Sequence, residues 1–401
     1  MDLYLQFGYG MKEHCKALFK KWGSGTVILS PRDLDPDKNQ LLRFSQEFTK
    51  CNGSLLIDPQ LYSPRANHHT LTKYDYWPND YVTGLFTGGS ALNRLLQEIK
   101  LLNEDAGAVS YIVPGLYCSR VDDDWFALQE TIIDASVKIM GDKERLATLC
   151  ISAESMRFED QIENLINRTE AWDVSGYYIV AEHPSNQYLV EDPLWLANLL
   201  ILCSGLKLQG KKVIVGYGNH QMISMAAANV DAISSGTWLN VRSFSLNKFH
   251  ESDDDSVSRR AKWYYCPQAF SEYKIPFLDI AFRAKILDQM APDKLMESDM
   301  SKVLFSGAQP SSTSYSEGNS FRHYLSCLHY QSINSKRSSF RETMDAQTLM
   351  LEMAERYIKA FHKYGVRGQD RDFSGIIDVN RAALTILEET RGFVLDRTWS
   401  K

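Results

Sequence analysis

The chain has 401 residues, 44% of them hydrophobic, enough to bury one large core or two ordinary ones. Its 44 Lys+Arg against 50 Asp+Glu give a net charge of −6, so no global basic excess points to nucleic acid, although a local patch can still bind it. The start, "MDLYLQFGYG", has no basic stretch leading into an apolar one, and the longest apolar run, "LWLANLLILCSGL", is too short for a bilayer, which predicts a soluble, cytoplasmic protein without membrane contact.

In chain order, short apolar runs alternate with amphipathic helical patterns. "LYLQF" leads to a helix around "MKEHCKALFKKWG". "TVILS" leads to "NQLLRFSQEFTKC". "SLLID" is followed by the long excursion "PQLYSPRANHHTLTKYDYWPNDYVTGLFTGGS" and then the helix "ALNRLLQEIKLLNED". "VSYIV" pairs with "WFALQETIIDASVKIMG", "LATLCIS" with "FEDQIENLINRTEAW", and "GYYIVA" with "DPLWLANLLILCSGLKLQG". "KVIVG" precedes a predicted helix over "NHQMISMAAANV", and "DAISS" is the eighth strand. Eight unbroken apolar strands within about 235 residues, the first seven each followed by a helix, predict an α/β fold, a (β/α)8 TIM barrel. An open doubly wound sheet is the rival, since it alternates in the same way.

The rhythm stops near residue 245. The expected division is a barrel over 1–245 and a mostly helical C-terminal extension over 246–401, with possible protein partners on the extension. "NKFHESDDDSVSRRAKWYYC" reads as a charged, mobile connector and "IPFLDIAFRAKILDQM" as a helix. "SGAQPSSTSYSEGNS" reads as a Ser-rich break. Two further helices follow around "DAQTLMLEMAERYIKAFHKYG" and "VNRAALTILEETRGFVLDR". The seven cysteines are scattered, without a Cys-x-x-Cys pair or zinc spacing, which fits reduced thiols, no metal and no cofactor.

Barrel sites are built from the loops at the carboxyl ends of the strands. Those ends carry Tyr9, Arg32, Asp58, Tyr62, Tyr117, Glu154, Glu182 and His183. After strand seven come Gly216, Tyr217, Gly218, Asn219 and His220, and after strand eight Ser235, Gly236, Trp238, Asn240 and Arg242. Asp58, Glu154 and Glu182 are the candidate catalytic carboxylates, because neighbouring carboxyls can have their pKa values pushed apart into an acid and a base. Each one alone fits a solvated or capping role equally well, and Asp58 is the strongest of the three, since an Asp directly after "LLI" points into the mouth. His183 and His220 fit loop or N-cap positions as well as bases. Gly216, Gly218, Ser235 and Gly236 are small enough for a phosphate to approach the backbone, and they also suit ordinary turns. Tyr9, Tyr62, Tyr117, Tyr217 and Trp238 can stack on a planar ligand, while Asn219, Arg32 and Arg242 supply polar contacts.

Three stretches, "SLLIDPQLY", "VSGYYIVAE" and "VGYGNHQMISMAAANVDAISSGTWLNVR", resemble the tRNA-guanine transglycosylase superfamily, including the relatives that insert deazaguanines into DNA. The resemblance spans residues 1–245 and implies a barrel that exchanges a base at an N-glycosidic bond, with Asp58 contacting the base. It departs at three places. The family's Ser-Gly-Gly-Phe-Gln run after the strand-three Asp is Pro59-Gln60-Leu61-Tyr62 here. The family's strand-eight nucleophile falls at about Ser234, where no carboxylate is near, and its three-cysteine, one-histidine zinc site is missing, only Cys266 remaining. The expectation is therefore a transglycosylase-like enzyme acting on or binding a base, nucleoside or nucleic acid. The first alternative is a catalytically altered barrel serving as a recognition or assembly subunit of a nucleic-acid-related modification or defence system. The second is an unrelated barrel enzyme acting on a phosphorylated small molecule. Basic tracts such as "FKKW" and "SRRAKW" fit phosphate contacts or plain solvated surface.

Overall fold

A computed structural model describes residues 1–34, 38–66, 68–78, 88–250, 261–296 and 298–399. The barrel strands are β1 (Asp2–Gln6), β2 (Gly25–Leu29), β3 (Gly53–Ile57), β4 (Tyr111–Val113), β5 (Tyr117–Cys118), β6 (Arg145–Ile151), β7 (Gly176–Ala181), β8 (Lys212–Val215) and β9 (Ala232–Ser235). All pair in parallel, in the order β3-β2-β1-β9-β8-β7-β6-β4. The fourth expected strand is interrupted at Pro114-Gly115 and resumes as β5, so both pieces pair with β6. The ring is nearly closed. Its last seam is carried by the Val109 N–H, which donates to Leu55 O at 3.1 Å. Every residue of β6 and β7 is buried, as parallel strands with helices outside and side chains inside require.

The outer ring begins with α1 (Lys12–Trp22), α2 (Lys38–Thr49), α3 (Ser90–Ala106), α4 (Asp123–Met140), α5 (Glu159–Thr169) and α6 (Pro193–Leu208). The seventh position departs from the expected helix. His220–Ala228 forms a 3-10 helix with every residue buried. The C-terminal region covers it. That region holds the antiparallel hairpin β10 (Trp263–Cys266) and β11 (Ser271–Lys274), then α7 (Ile275–Arg283), α8 (Asp299–Lys302), α9 (Glu317–Ser335), α10 (Phe340–His362) and α11 (Ile377–Thr398). α9 packs beside β1 and α1, where an eighth barrel helix would stand, and α10 lies on the 3-10 segment. α11 packs along α6, so the apolar run of α6 is covered on both sides. Among the described residues no helix is long and apolar enough to cross a membrane.

The sequence reading missed α9 and the hairpin. α9 buries Ser320, His323, Ser326, Gln331, Ser332 and Ser335 beside its apolar residues, so it shows no clean apolar stripe. Of the stretch read as a charged connector, 251–260 lie outside the described residues, while Trp263–Cys266 is strand β10.

Candidate functional site

Asp58 follows β3 and turns into the barrel axis, where it is fully buried. Its Oδ1 accepts the Gln60 N–H at 2.9 Å. Its Oδ2 accepts three phenolic hydroxyls, Tyr62 at 2.6 Å, Tyr217 at 3.1 Å and Tyr178 at 3.3 Å. The network runs on through Gln6, whose Oε1 accepts Ser234 Oγ–H at 2.7 Å and, at 3.1 Å from Tyr178 Oη, shares that hydroxyl's single proton with Asp58. Burial lifts the Asp58 carboxyl to a pKa of about 6, and the four donors only partly offset it.

The segment after β9 folds back over this network. Phe244 and Phe249 set their rings edge-on against Tyr62, each at 5.0 Å, and against Tyr217 at 5.4 and 6.4 Å. Leu246 N–H donates to Glu182 Oε1 at 3.2 Å, and Phe244 pairs with Glu182 in an isolated parallel bridge. Asp58 is thus roofed by two phenylalanines and does not reach the open mouth.

Above the roof lies a cavity of about 530 Å³, lined by Tyr9, Arg32, Asp33, Leu34, His68, His69, Thr70, Lys73, Asn240 and Lys248. Arg32 rests on the Phe249 ring at 4.7 Å and pairs with Asp33 at 3.1 Å. Lys248 donates to Ser243 O at 2.9 Å; burial, with repulsion from Arg32, lowers its ammonium pKa to about 8. His68 is held down to about 4 by burial, Arg32 and His69, so it is neutral at pH 7. Arg32, Lys73 and Lys248 against Asp33 leave the cavity cationic.

Of the residues singled out from sequence, Arg32 and Tyr9 line this cavity, and Tyr9 is 71% exposed. Asp58 and Tyr62 meet in the buried network. Tyr117 donates to the half-buried Glu182. Glu154 is exposed and stands apart from them, N-terminal to a short 3-10 turn. His183 is buried, its Nδ1 at 3.0 Å from Gln187 O, and burial lowers its pKa to about 4. Asn219 is the N-cap of the 3-10 segment, accepting Gln221 N–H at 2.8 Å.

The glycines after strands seven and eight serve packing. Gly216 N–H donates to Ile179 O at 2.8 Å and Gly218 N–H to Ser234 O at 2.7 Å, so neither is free for a phosphate. A Cβ on Gly216 would lie 2.6 Å from Tyr178 Oη, and one on Gly236 would lie 2.4 Å from a Val241 methyl. Ser235 is buried beside Gly236. Trp238 Nε1–H donates to Tyr9 O at 3.1 Å. Arg242 is buried against Glu272 at 3.2 Å.

Lys73, Lys248, His68 and His69 were missed. The two histidines and Lys73 lie in the long excursion after β3, and an unusually long loop at the working end of a barrel was the signal available. Among the described residues no cluster of His, Cys, Asp and Glu could hold a metal.

No family model matches the chain, and no curated protein matches it. Among solved structures it is similar to the deoxyribose phosphate aldolase of Aeropyrum pernix, at 13% identity over 58% of this chain and 85% of that one, with a TM-score of 0.34. A GH10 xylanase of Thermobacillus composti matches at 9% identity over 82% and 96%, with a TM-score of 0.37. The carboxyl transferase domain of Rhizobium etli pyruvate carboxylase matches at 11% identity over 97% and 61%, with a TM-score of 0.38. Likenesses this slight say nothing about activity.

Proposed function

We propose that the barrel is an enzyme acting at the N-glycosidic bond of a phosphate-bearing nucleoside, in line with the transglycosylase resemblance. The observation that carries this reading is the cationic cavity at the mouth. Arg32, Lys73 and Lys248 would take the phosphate through charge-assisted hydrogen bonds, and Tyr9 would lie along the base. Glu182, half-buried, held by the Tyr117 hydroxyl and outside the lining of this cavity, would face positive charge developing on the sugar once the Phe244–Phe249 segment moves. Asp58 would meet the base only after Phe244 and Phe249 lift from the mouth.

The test is equilibrium binding of a nucleoside 5′-monophosphate and of the matching nucleoside. The monophosphate is expected to bind at least about tenfold more tightly, and Lys248→Gln to remove most of that advantage. Equal binding of the two ligands refutes the reading. Release or exchange of a labelled base, lost in Glu182→Gln, would establish the reaction.

A second reading has its own support. Asp58 is sealed, and Ser234, at the place of the family nucleophile, is buried with its hydroxyl given to Gln6. A barrel that binds the nucleotide without cleaving it would act as a recognition subunit. Monophosphate binding with no base release in any condition would select that reading. A phosphorylated small molecule displacing the nucleotide from the same cavity would instead select a different barrel enzyme.

A further inference from the structure

A second cavity, of about 380 Å³, lies between the loop after β9 and the C-terminal region. Its floor is a buried ion cluster. Glu272, on β11, accepts Arg242 Nη1 at 3.2 Å, Arg371 Nη1 at 2.9 Å and the Tyr188 hydroxyl at 2.8 Å. The Arg371 guanidinium carbon lies over the Trp263 ring, 3.9 Å from its centre, and Lys274 approaches the same ring at 5.1 Å. Two arginines share one carboxylate, so the cluster carries an uncompensated positive charge. Arg371 uses only one Nη1 donor on Glu272 among the described residues, while a guanidinium has five N–H donors.

The opposite wall is apolar. Trp238 and Phe321 meet edge to face at 4.8 Å. Thr237 also lines the cavity, 2% exposed, and its hydroxyl has no hydrogen-bond partner among the described residues. That hydroxyl is thus available to a molecule or water in the cavity. Trp238 and Leu239 face this cavity whereas Asn240 faces the mouth, so the two spaces are neighbours with separate linings.

We propose that this second cavity is a binding site for a small aromatic oxyanion, its carboxylate or phosphate paired with Arg371 and Lys274 and its ring against Trp238 and Phe321. Glu272 acts as the positioning residue. It fixes the guanidinium before the ligand arrives, which lowers the ordering cost of binding. The site does not depend on the reading given to the mouth.

The test uses phenyl phosphate, benzoate and uncharged phenol, titrated into the full chain and followed by tryptophan fluorescence and calorimetry. Phenyl phosphate, benzoate or both are expected to bind while phenol does not, and the anion that binds names the headgroup. Arg371→Gln should weaken that binding about tenfold or more and Lys274→Gln about threefold. Lys248→Gln, in the mouth, should leave it unchanged. Lys274→Gln, at a partly exposed strand end, keeps the test informative if Arg371→Gln fails to fold. Failure of both anions to bind overturns the proposal, as does binding lost in Lys248→Gln but kept in Arg371→Gln and Lys274→Gln. A nucleotide that binds through Lys248 while neither anion binds leaves the reading of the mouth standing while this one falls.

Discussion

Replacing Asp58 with Asn isolates the energetics of the buried network. Burial lifts the Asp58 carboxyl from 3.8 to about 6. A gap of about two units corresponds to roughly 3 kcal/mol, at about 1.4 kcal/mol per unit. The sign follows from proton binding. Between about pH 4 and 6 the folded protein holds this proton more tightly than the unfolded chain, so the contribution of Asp58 to stability falls as pH rises through that window. His183, His220 and His323 act in the opposite direction. Burial lowers each from 6.5 to about 4, so their forms in the fold bind fewer protons and stability rises over about pH 4 to 6.5. The stability curve of either protein alone therefore mixes both signs, and the difference between them reports Asp58. That difference should move in favour of Asp58→Asn by about 3 kcal/mol from about pH 4 to pH 7, whatever constant offset the altered hydrogen bonds add. Urea unfolding of both proteins at several pH values in this range measures it. A difference independent of pH would mean that the carboxyl is already ionised at pH 4. The three tyrosine hydroxyls and the Gln60 N–H would then outweigh burial, and the argument given for this site would be wrong.

Gly216→Ala drives a methyl to 2.6 Å from Tyr178 Oη, a ring tied to both Asp58 and Gln6. It should destabilise the fold by about 1–3 kcal/mol, read as a lower thermal midpoint. Glu272→Gln leaves buried Arg242 without its carboxylate and should cost about 3–5 kcal/mol, far more than Glu355→Gln at a solvent-screened pair on α10. The Glu272 carboxyl is destabilised by burial, but Arg371 and Arg242 outweigh this and hold it at about 2. Its contribution to stability should thus persist above about pH 4.5 and fade as the pH drops towards 2.

The barrel was legible in the chain because its strands are covered on both faces. "TVILS", "LATLCIS" and "GYYIVA" must then be unbroken apolar runs, and each leads into a helix that covers it. Asp58 stood out for a local reason, as a carboxylate ending the third such run. What surrounds it was not local. Tyr178 and Tyr217 reach it from 120 and 159 residues away, and Phe244 and Phe249 roof it from beyond the last strand. No spacing rule connects positions that far apart. The same holds for Gly216 and Gly236, whose small size the sequence displays without saying whether a ligand or a neighbouring side chain fills the space. Charge was equally ambiguous. Arg32 and Arg242 look alike in sequence and both are buried, yet Arg32 borders the mouth beside Asp33 while Arg242 is held by Glu272, 30 residues on, at the second cavity. The sequence determined the succession of strands and helices, because burial periodicity is written residue by residue. The tertiary structure alone decided which polar groups seal one another and which still face solvent, because that depends on the partners that closure of the barrel brings together.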